Sequence, residues 1–371
     1  MPELDSISVH GFRSLRAVDA LKLGPINVLI GGNGAGKSNF LAVFDLLQAL
    51  REGHLQAYVA EAGGANRVLH FGAKRTRELT IGLSFRNEVN AYRIRLRLTE
   101  TDELVPGVES TYYWHQEKYG DPGEFPVRPH GKEAGISDPL STGVQGHVRA
   151  RLASWRTYHF HDTGRGAALK QSAEIDDNRY LRADGANLPA FLYRLRKQHV
   201  AEYVQLRDTV RLVAPFFDDF ILEPQVLKPD MIRLEWRHRN TEDYFDVSSL
   251  SDGTLRFIAL ATLFLQPVHL RPLVILVDEP ELGLHPAAVT LLASLVKQSA
   301  TATQVILATQ SPVLLDHFEP EHALVTDLID GQSRFTRPDA SRLAAWLQDY
   351  SLGQLWEKNE LGGRPGGAQP A

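Results

Sequence analysis

A run of eight residues, Gly31-Gly32-Asn33-Gly34-Ala35-Gly36-Lys37-Ser38, has the spacing G-x-x-x-x-G-K-[ST]. Glycines at such positions let successive backbone N–H groups turn inward on phosphate oxygens, and a helix that starts just after them adds a favourable dipole. In that arrangement Lys37 reaches the β- and γ-phosphates of a nucleoside triphosphate, and the Ser38 hydroxyl ligates Mg²⁺. A glycine-rich turn that merely joins strand to helix is the alternative. Lys and Ser both in place weigh against it.

Three further segments carry chemistry. Leu273-Val274-Ile275-Leu276-Val277-Asp278-Glu279-Pro280 is an apolar strand ending in two adjacent carboxylates. Side chains alternate along a strand, so the two acids point different ways and suit different tasks. Asp278 suits Mg²⁺, directly or through water, and Glu279 suits polarising a water that attacks a γ-phosphate. Alone, this pattern fits a strand with a polar turn equally well; beside the glycine loop the catalytic reading is favoured. Leu250-Ser251-Asp252-Gly253-Thr254-Leu255-Arg256 opens a helix a short way upstream. Ser251 can cap that helix and Gly253 permits close backbone approach, although an ordinary N-cap explains the segment taken by itself. In Ala308-Thr309-Gln310-Ser311-Pro312, Ser311 caps a helix and Pro312 takes its first position. Gln310 then sits at a strand end, where its amide can bond a γ-phosphate or the attacking water.

These residues need a sheet to hold them. Ile26-Asn27-Val28-Leu29-Ile30 reads as a buried strand, and the apolar spacing after Ser38 reads as a core-facing helix ending near Gly53. From Ser251 on, helix and strand alternate over 254–265, 273–277, 286–297 and 305–308. That is the pattern of a parallel sheet with helices on its faces, and the glycine loop is expected to share that sheet. Strict period-two patterns over 79–85 and 91–98 predict antiparallel strands. Prolines and glycines cluster over 105–145, which predicts an irregular excursion. A strand is expected at 155–161, one long helix over 187–213, a hairpin between 231–236 and 244–247, and a disordered glycine-rich tail over 362–367.

A chain of 371 residues, 43% hydrophobic and 23% charged, is ordinary globular material for one large or two joined domains. A net charge of −5 argues against a globally cationic nucleic-acid binder. With no cysteine, disulfides, thiolate metal sites and cysteine nucleophiles are excluded. The N-terminal residues lack the basic start and apolar run of a signal peptide, and no stretch reaches the ~18 apolar residues of a membrane span. A cytoplasmic protein without a membrane partner is expected.

The chain resembles the ABC-type ATPases of the RecF, SMC and OLD kind, and especially the bacterial predicted ATPases of the AAA_21 type. The likeness rests on Gly11-Phe12-Arg13-Ser14-Leu15, on residues 31–40, 250–257, 277–286 and 308–316, on Asn187-Leu188 with the helix that follows, and on Leu355-Trp356-Glu357-Lys358-Asn359. It implies an α/β fold of the P-loop NTPase, ABC-type ATPase class, a mixed sheet with an antiparallel β subdomain. Residues 1–100 with 246–335 would form the ATP-binding domain, 101–245 an inserted α+β lobe, and 336–371 a C-terminal extension. It also implies nucleotide contacts at Gly31, Asn33, Gly34, Ala35, Gly36, Lys37, Ser38 and Asn39, with Arg13 near the phosphates. In such proteins two copies sandwich ATP and Mg²⁺, so Ser251 and Gly253 of one copy would complete the other's site. Glu281-Leu282-Gly283-Leu284-His285-Pro286 takes the D-loop position.

Transport-type members have histidine where this chain has Gln310, and Ser-Gly-Gly-Gln where it has Ser251-Asp252-Gly253-Thr254. An importer subunit is therefore a lesser alternative, as is a nucleotide sensor with little turnover. The expected activity is ATP hydrolysis by a homodimer that moves DNA or a partner protein in repair, chromosome maintenance or phage defence. Arg93, Arg95 and Arg97 on one strand face leave DNA open as a partner, although a solvated face explains them better. His159 and His161 have metal-like spacing, but structural histidines are the better reading. No nuclease domain is expected in the residues that follow Gln310, so any cutting would fall to a separate nuclease or effector.

Overall fold

The computed structural model describes residues 2–164 and 166–363. The chain divides into two units, residues 1–157 with 273–276 and 304–371, and residues 158–272 with 277–303.

In the first unit, an antiparallel sheet runs in the order Leu15–Lys22, Leu4–Phe12, Glu78–Phe85, Asn90–Leu98, Leu104–Tyr113, Gly123–Pro126. The expected strands at 79–85 and 91–98 are present and pair along their whole length. Within 105–145, residues 114–122 and 127–142 are largely irregular, as the composition suggests, while Leu104–Tyr113 and Gly123–Pro126 are strands. Pro106 is tolerated where the register shifts between Arg95 and Leu96, a bulge at which a ladder donor is dispensable.

A second sheet runs in the order Gln332–Thr336, Ala323–Ile329, Ile26–Ile30, Gln304–Thr309, Val274–Asp278, Trp155–Tyr158. The glycine-loop strand and the later βα block therefore share one sheet. Ile26–Ile30 is parallel to both Gln304–Thr309 and Ala323–Ile329, and every residue in it is buried, as strands covered on both faces require. The expected strand over 155–161 stops at Tyr158.

The helix Lys37–Glu52 carries Phe40, Phe44 and Leu47 into the core of this unit and ends where Gly53 turns left-handed at φ 75°. Phe44 lies 5.6 Å from Trp155 of the second sheet, and Trp155 lies 5.9 Å from Phe85 of the antiparallel one. A buried amide joins the sheets as well. Gln304 accepts the Leu4 N–H and donates to the carbonyls of Leu4 and Gly24, each at 2.9 Å. Unsatisfied, that side chain would cost more than it contributes, so the three bonds fix how the sheets meet.

The second unit is built on the helix Asp252–Leu265, buried at every position from Thr254 onward and packed against Pro286–Ser299 and Val200–Val213. A helix apolar on all sides belongs in a core. Residues 187–213 form two helices rather than one, Leu188–Gln198 and Val200–Val213. They part at His199, whose φ of −135° and ψ of 58° cannot continue a helix, and whose ring packs 5.2 Å from that of His269. Small antiparallel sheets complete the unit; the hairpin expected between 231–236 and 244–247 appears as Glu235–His238 paired with Tyr244–Asp246, while Met231 and Ile232 belong to the strand Lys228–Ile232 of another sheet. Among the described residues no helix is long and apolar enough to cross a membrane.

Candidate nucleotide site

In the first unit, strand register places the phosphate loop. Ile30 pairs with Thr309 on one side and Val325 on the other. Gly31 and Gln310 thus leave the sheet at the same edge, with Thr326 beside Gly31. Glycine is required there, because a Cβ on Gly31 would come 2.3 Å from the Thr326 carbonyl oxygen. At Gly36 the demand is double: φ is 107°, and a Cβ would lie 1.8 Å from Ser333 Oγ.

Hydroxyls brace the loop from outside. Ser333 Oγ donates to the Ala35 carbonyl at 2.7 Å and meets Ser14 Oγ at 2.7 Å; Asn39 Nδ2 donates to Ser14 Oγ, also at 2.7 Å. Asn39, which the resemblance places among the nucleotide contacts, has its amide engaged in this brace. Lys37 is only 6% exposed and donates to the carbonyls of Gly31 at 2.6 Å and Gly32 at 3.1 Å. No side chain caps the helix at Gly36, so its first-turn amides are suited to an anion.

Arg13 adopts a left-handed φ of 46°, a costly state for a side chain with a Cβ. Two bonds hold it. Its N–H donates to Val68 at 2.8 Å, and its carbonyl accepts from His70 Nδ1 at 2.6 Å, which places the imidazole proton on Nδ1. The guanidinium lies 5.2 Å over the Phe12 ring. Burial pushes the neighbouring Tyr58 phenol up to about 12 against the opposing pull of Arg13.

The end of the chain adds a contact that the sequence reading missed. Gly362 and Gly363, expected in a disordered tail, are ordered, and the Gly363 carbonyl accepts the Gly32 N–H at 2.9 Å. Residues 364–367 of that expected tail lie outside the described residues.

In the second unit, Asp278 ends its strand and Glu279 follows with φ 39°, a strained backbone at a residue with proposed chemistry. His161 Nε2 donates to the Asp278 carbonyl at 2.7 Å, which gives this histidine a structural partner. Arg256, 5% exposed, donates through Nε to Phe160 O and through Nη2 to His161 O, both at 2.9 Å. Burial pulls its guanidinium below its usual value. The sequence alone gives Arg256 no task, although a charged residue inside a largely apolar helix marks it.

Ser251 caps its helix as expected, accepting from the Thr254 N–H at 3.1 Å. A Cβ on Gly253 would meet the Gly283 carbonyl at 2.3 Å, so the turn that starts at Ser251 and the segment Glu281–Pro286 touch through backbone. His285 Nδ1 accepts the Ala287 N–H at 3.3 Å with Pro286 at the first helical position, and so starts the next helix. The oxygen donors of Ser38 and Asp278 are of the type that Mg²⁺ takes. On the antiparallel sheet, Glu78 lies 3.8 Å from Arg95 and 3.3 Å from Arg97, which reduces the appeal of that stripe for a polyanion.

A mixed sheet, a braced glycine loop with a buried lysine and an antiparallel sheet beside it define an ABC-type, SMC-like P-loop ATPase fold. The solved structures agree. An Smc head bound to the C-winged helix domain of ScpA has a TM-score of 0.61 at 17% identity, with 92% of this chain and 99% of that one covered. An Smc head with an extended coiled coil from Pyrococcus furiosus, bound to the C-terminal domain of ScpA, gives 0.56 at 15% identity, with 94% and 99% covered. The SMC head domain from Thermotoga maritima gives 0.50 at 14% identity, with 91% and 99% covered. These likenesses speak for the fold. No curated protein matches. Residues 26–316 match the family AAA_21, described as "AAA domain, putative AbiEii toxin, Type IV TA system", and the chain belongs to that family.

Proposed function

We propose that this protein is a Mg²⁺-dependent ATPase that hydrolyses ATP between two head-to-tail copies of itself. The observation that carries the reading is the buried Lys37 within a glycine loop braced by Ser14, Asn39 and Ser333. Transfer of a phosphoryl group to water asks a protein mainly for positioning and charge stabilisation. Lys37, seated on the Gly31 carbonyl, turns its ammonium toward the β- and γ-phosphates, while the loop and first-turn amides hold the remaining oxygens. Glu279 accepts a proton from the attacking water, and Gln310 orients that water or the γ-phosphate. The Ser38 hydroxyl and the Asp278 carboxylate would hold Mg²⁺, which would supply positive charge against the phosphate oxygens.

Arg13 supplies a further positive charge near the phosphates. Ser251 and Gly253 act across the dimer, closing the γ-phosphate side of the partner's site. The output we propose is movement of a bound partner, by analogy with the fold-related Smc heads seen with ScpA domains.

Phosphate release by purified protein tests the activity. Wild type is expected to release phosphate from Mg-ATP, and Glu279→Gln to bind ATP normally while losing at least ~100-fold in rate, the range expected for removal of a general base. Equal release by both proteins would remove Glu279 from the chemistry.

A further inference from the structure

The end of the chain reaches back to the phosphate loop. After the short helix Leu352–Glu357, Gly362 and Gly363 both turn left-handed, at φ 78° and 79°, a backbone path that glycine takes without strain. The Gly363 N–H pulls against the upward effect of burial on the Asp327 carboxyl, and the Gly363 carbonyl accepts the Gly32 N–H at 2.9 Å. The Gly31 carbonyl and the Gly32 N–H belong to one peptide unit. Its oxygen accepts the Lys37 ammonium at 2.6 Å while its N–H is held by Gly363. A peptide fixed at both ends cannot rotate, and each bond polarises the other.

The same extension holds the Gln310 segment. The Gly353 N–H donates to Asp316 Oδ1 at 2.6 Å, and a Cβ on Gly353 would come 2.4 Å from the Pro312 carbonyl. The helix Pro312–Leu315 begins two residues after Gln310, capped by Ser311.

We infer that residues 352–363 form a strap that positions the nucleotide site, with the Gly363 carbonyl setting the Gly31–Gly32 peptide for Lys37 and Gly353 tying the Gln310 segment to the same element. Gly363, Asp327 and Gly353 are positioning residues, remote from the reacting atoms. The inference rests on the nucleotide reading of the loop and deepens it. It predicts that the affinity for ATP depends on a C-terminal residue far from the loop in sequence.

Gly363→Val in the full-length chain tests it, because a Cβ there would lie 2.7 Å from Val325 Cγ1 and would displace the carbonyl. Titration with ATP is expected to show affinity at least ~10-fold weaker, the loss of about one well-placed bond. The melting temperature without nucleotide should stay near that of wild type, while the gain in melting temperature on adding ATP shrinks. Hydrogen exchange at the Gly32 amide should rise in parallel, a readout independent of activity. Gly363→Ala combined with Val325→Ala, which removes the colliding atom, should recover part of the affinity lost by Gly363→Ala alone. Asp316→Ala, at the other end of the strap, should weaken binding in the same direction. Unchanged ATP affinity and unchanged Gly32 exchange in Gly363→Val would overturn the strap while wild type still binds ATP. A wild type that fails to bind ATP would instead overturn the functional reading beneath it.

Discussion

Arg256 carries a structural demand in the second unit. It is buried, and its guanidinium serves two backbone carbonyls in the segment whose His161 bonds to Asp278 O. Truncation would strand both acceptors and leave a void. Arg256→Ala is expected to lower stability by about 2–3 kcal/mol, read from the denaturant midpoint. Arg256→Lys should recover only part, since an ammonium lacks the planar fork. A midpoint unchanged in Arg256→Ala would show that Phe160 and His161 find other donors. Glu279 presents the opposite case, a strained left-handed residue whose backbone costs energy at a position where chemistry is proposed.

At the scale of elements, the phosphate loop was the most legible part of the chain, because its backbone path dictates residue type. Gly31 and Gly36 have no room for a Cβ, and the Gly-Lys-Ser sequence leads into the helix Lys37–Glu52. The strands at 79–85 and 91–98 were legible for the same kind of reason, since one buried face enforces alternation. What the sequence hid depends on partners distant along the chain. Ser333 and Ser14 brace the loop from far apart in sequence, and nothing local marks them for it. The strand Leu104–Tyr113 was hidden because its Pro106 and Gly107 sit at a bulge, where such residues also fit. The break at His199 is a single backbone departure that helical periodicity cannot register.

Glu3, just before the first strand, allows a test of packing in the first unit. It lies 3.0 Å from Arg151 in the helix Gly143–Ala153 and 3.6 Å from Arg86. Burial still raises its carboxyl above the usual glutamate value, against both guanidinium groups. The folded state therefore holds this proton more tightly than the unfolded chain. That contribution to stability is full below the ordinary glutamate value and is lost as pH rises through the raised one. In denaturant titrations over a pH series, the stability of wild type relative to Glu3→Gln should fall across that window and then level. A difference that stays constant with pH would mean that Glu3 titrates as it does when exposed.

At the scale of the whole molecule, function by this account belongs to two copies. Family membership and the SMC-like fold make the chain a P-loop ATPase of the AAA_21 family. The turn at Ser251 and the loop at Lys37 are then proposed to meet only across a dimer. Ser251→Arg places a large cation at the helix start that would face the partner's nucleotide. It should leave ATP affinity within about two-fold of wild type, a change under 0.5 kcal/mol, and abolish ATP-dependent dimerisation. A loss of ATP binding by that variant in the monomer would instead place Ser251 in its own copy's site.

Sedimentation velocity of Glu279→Gln in saturating Mg-ATP reaches the central claim most directly, because a protein that binds but does not hydrolyse ATP should stay closed. The account predicts a stable dimer of twice the 41.4 kDa chain, which disperses when ATP is replaced by ADP. A variant that binds ATP yet sediments identically with ATP, with ADP and without nucleotide would contradict it.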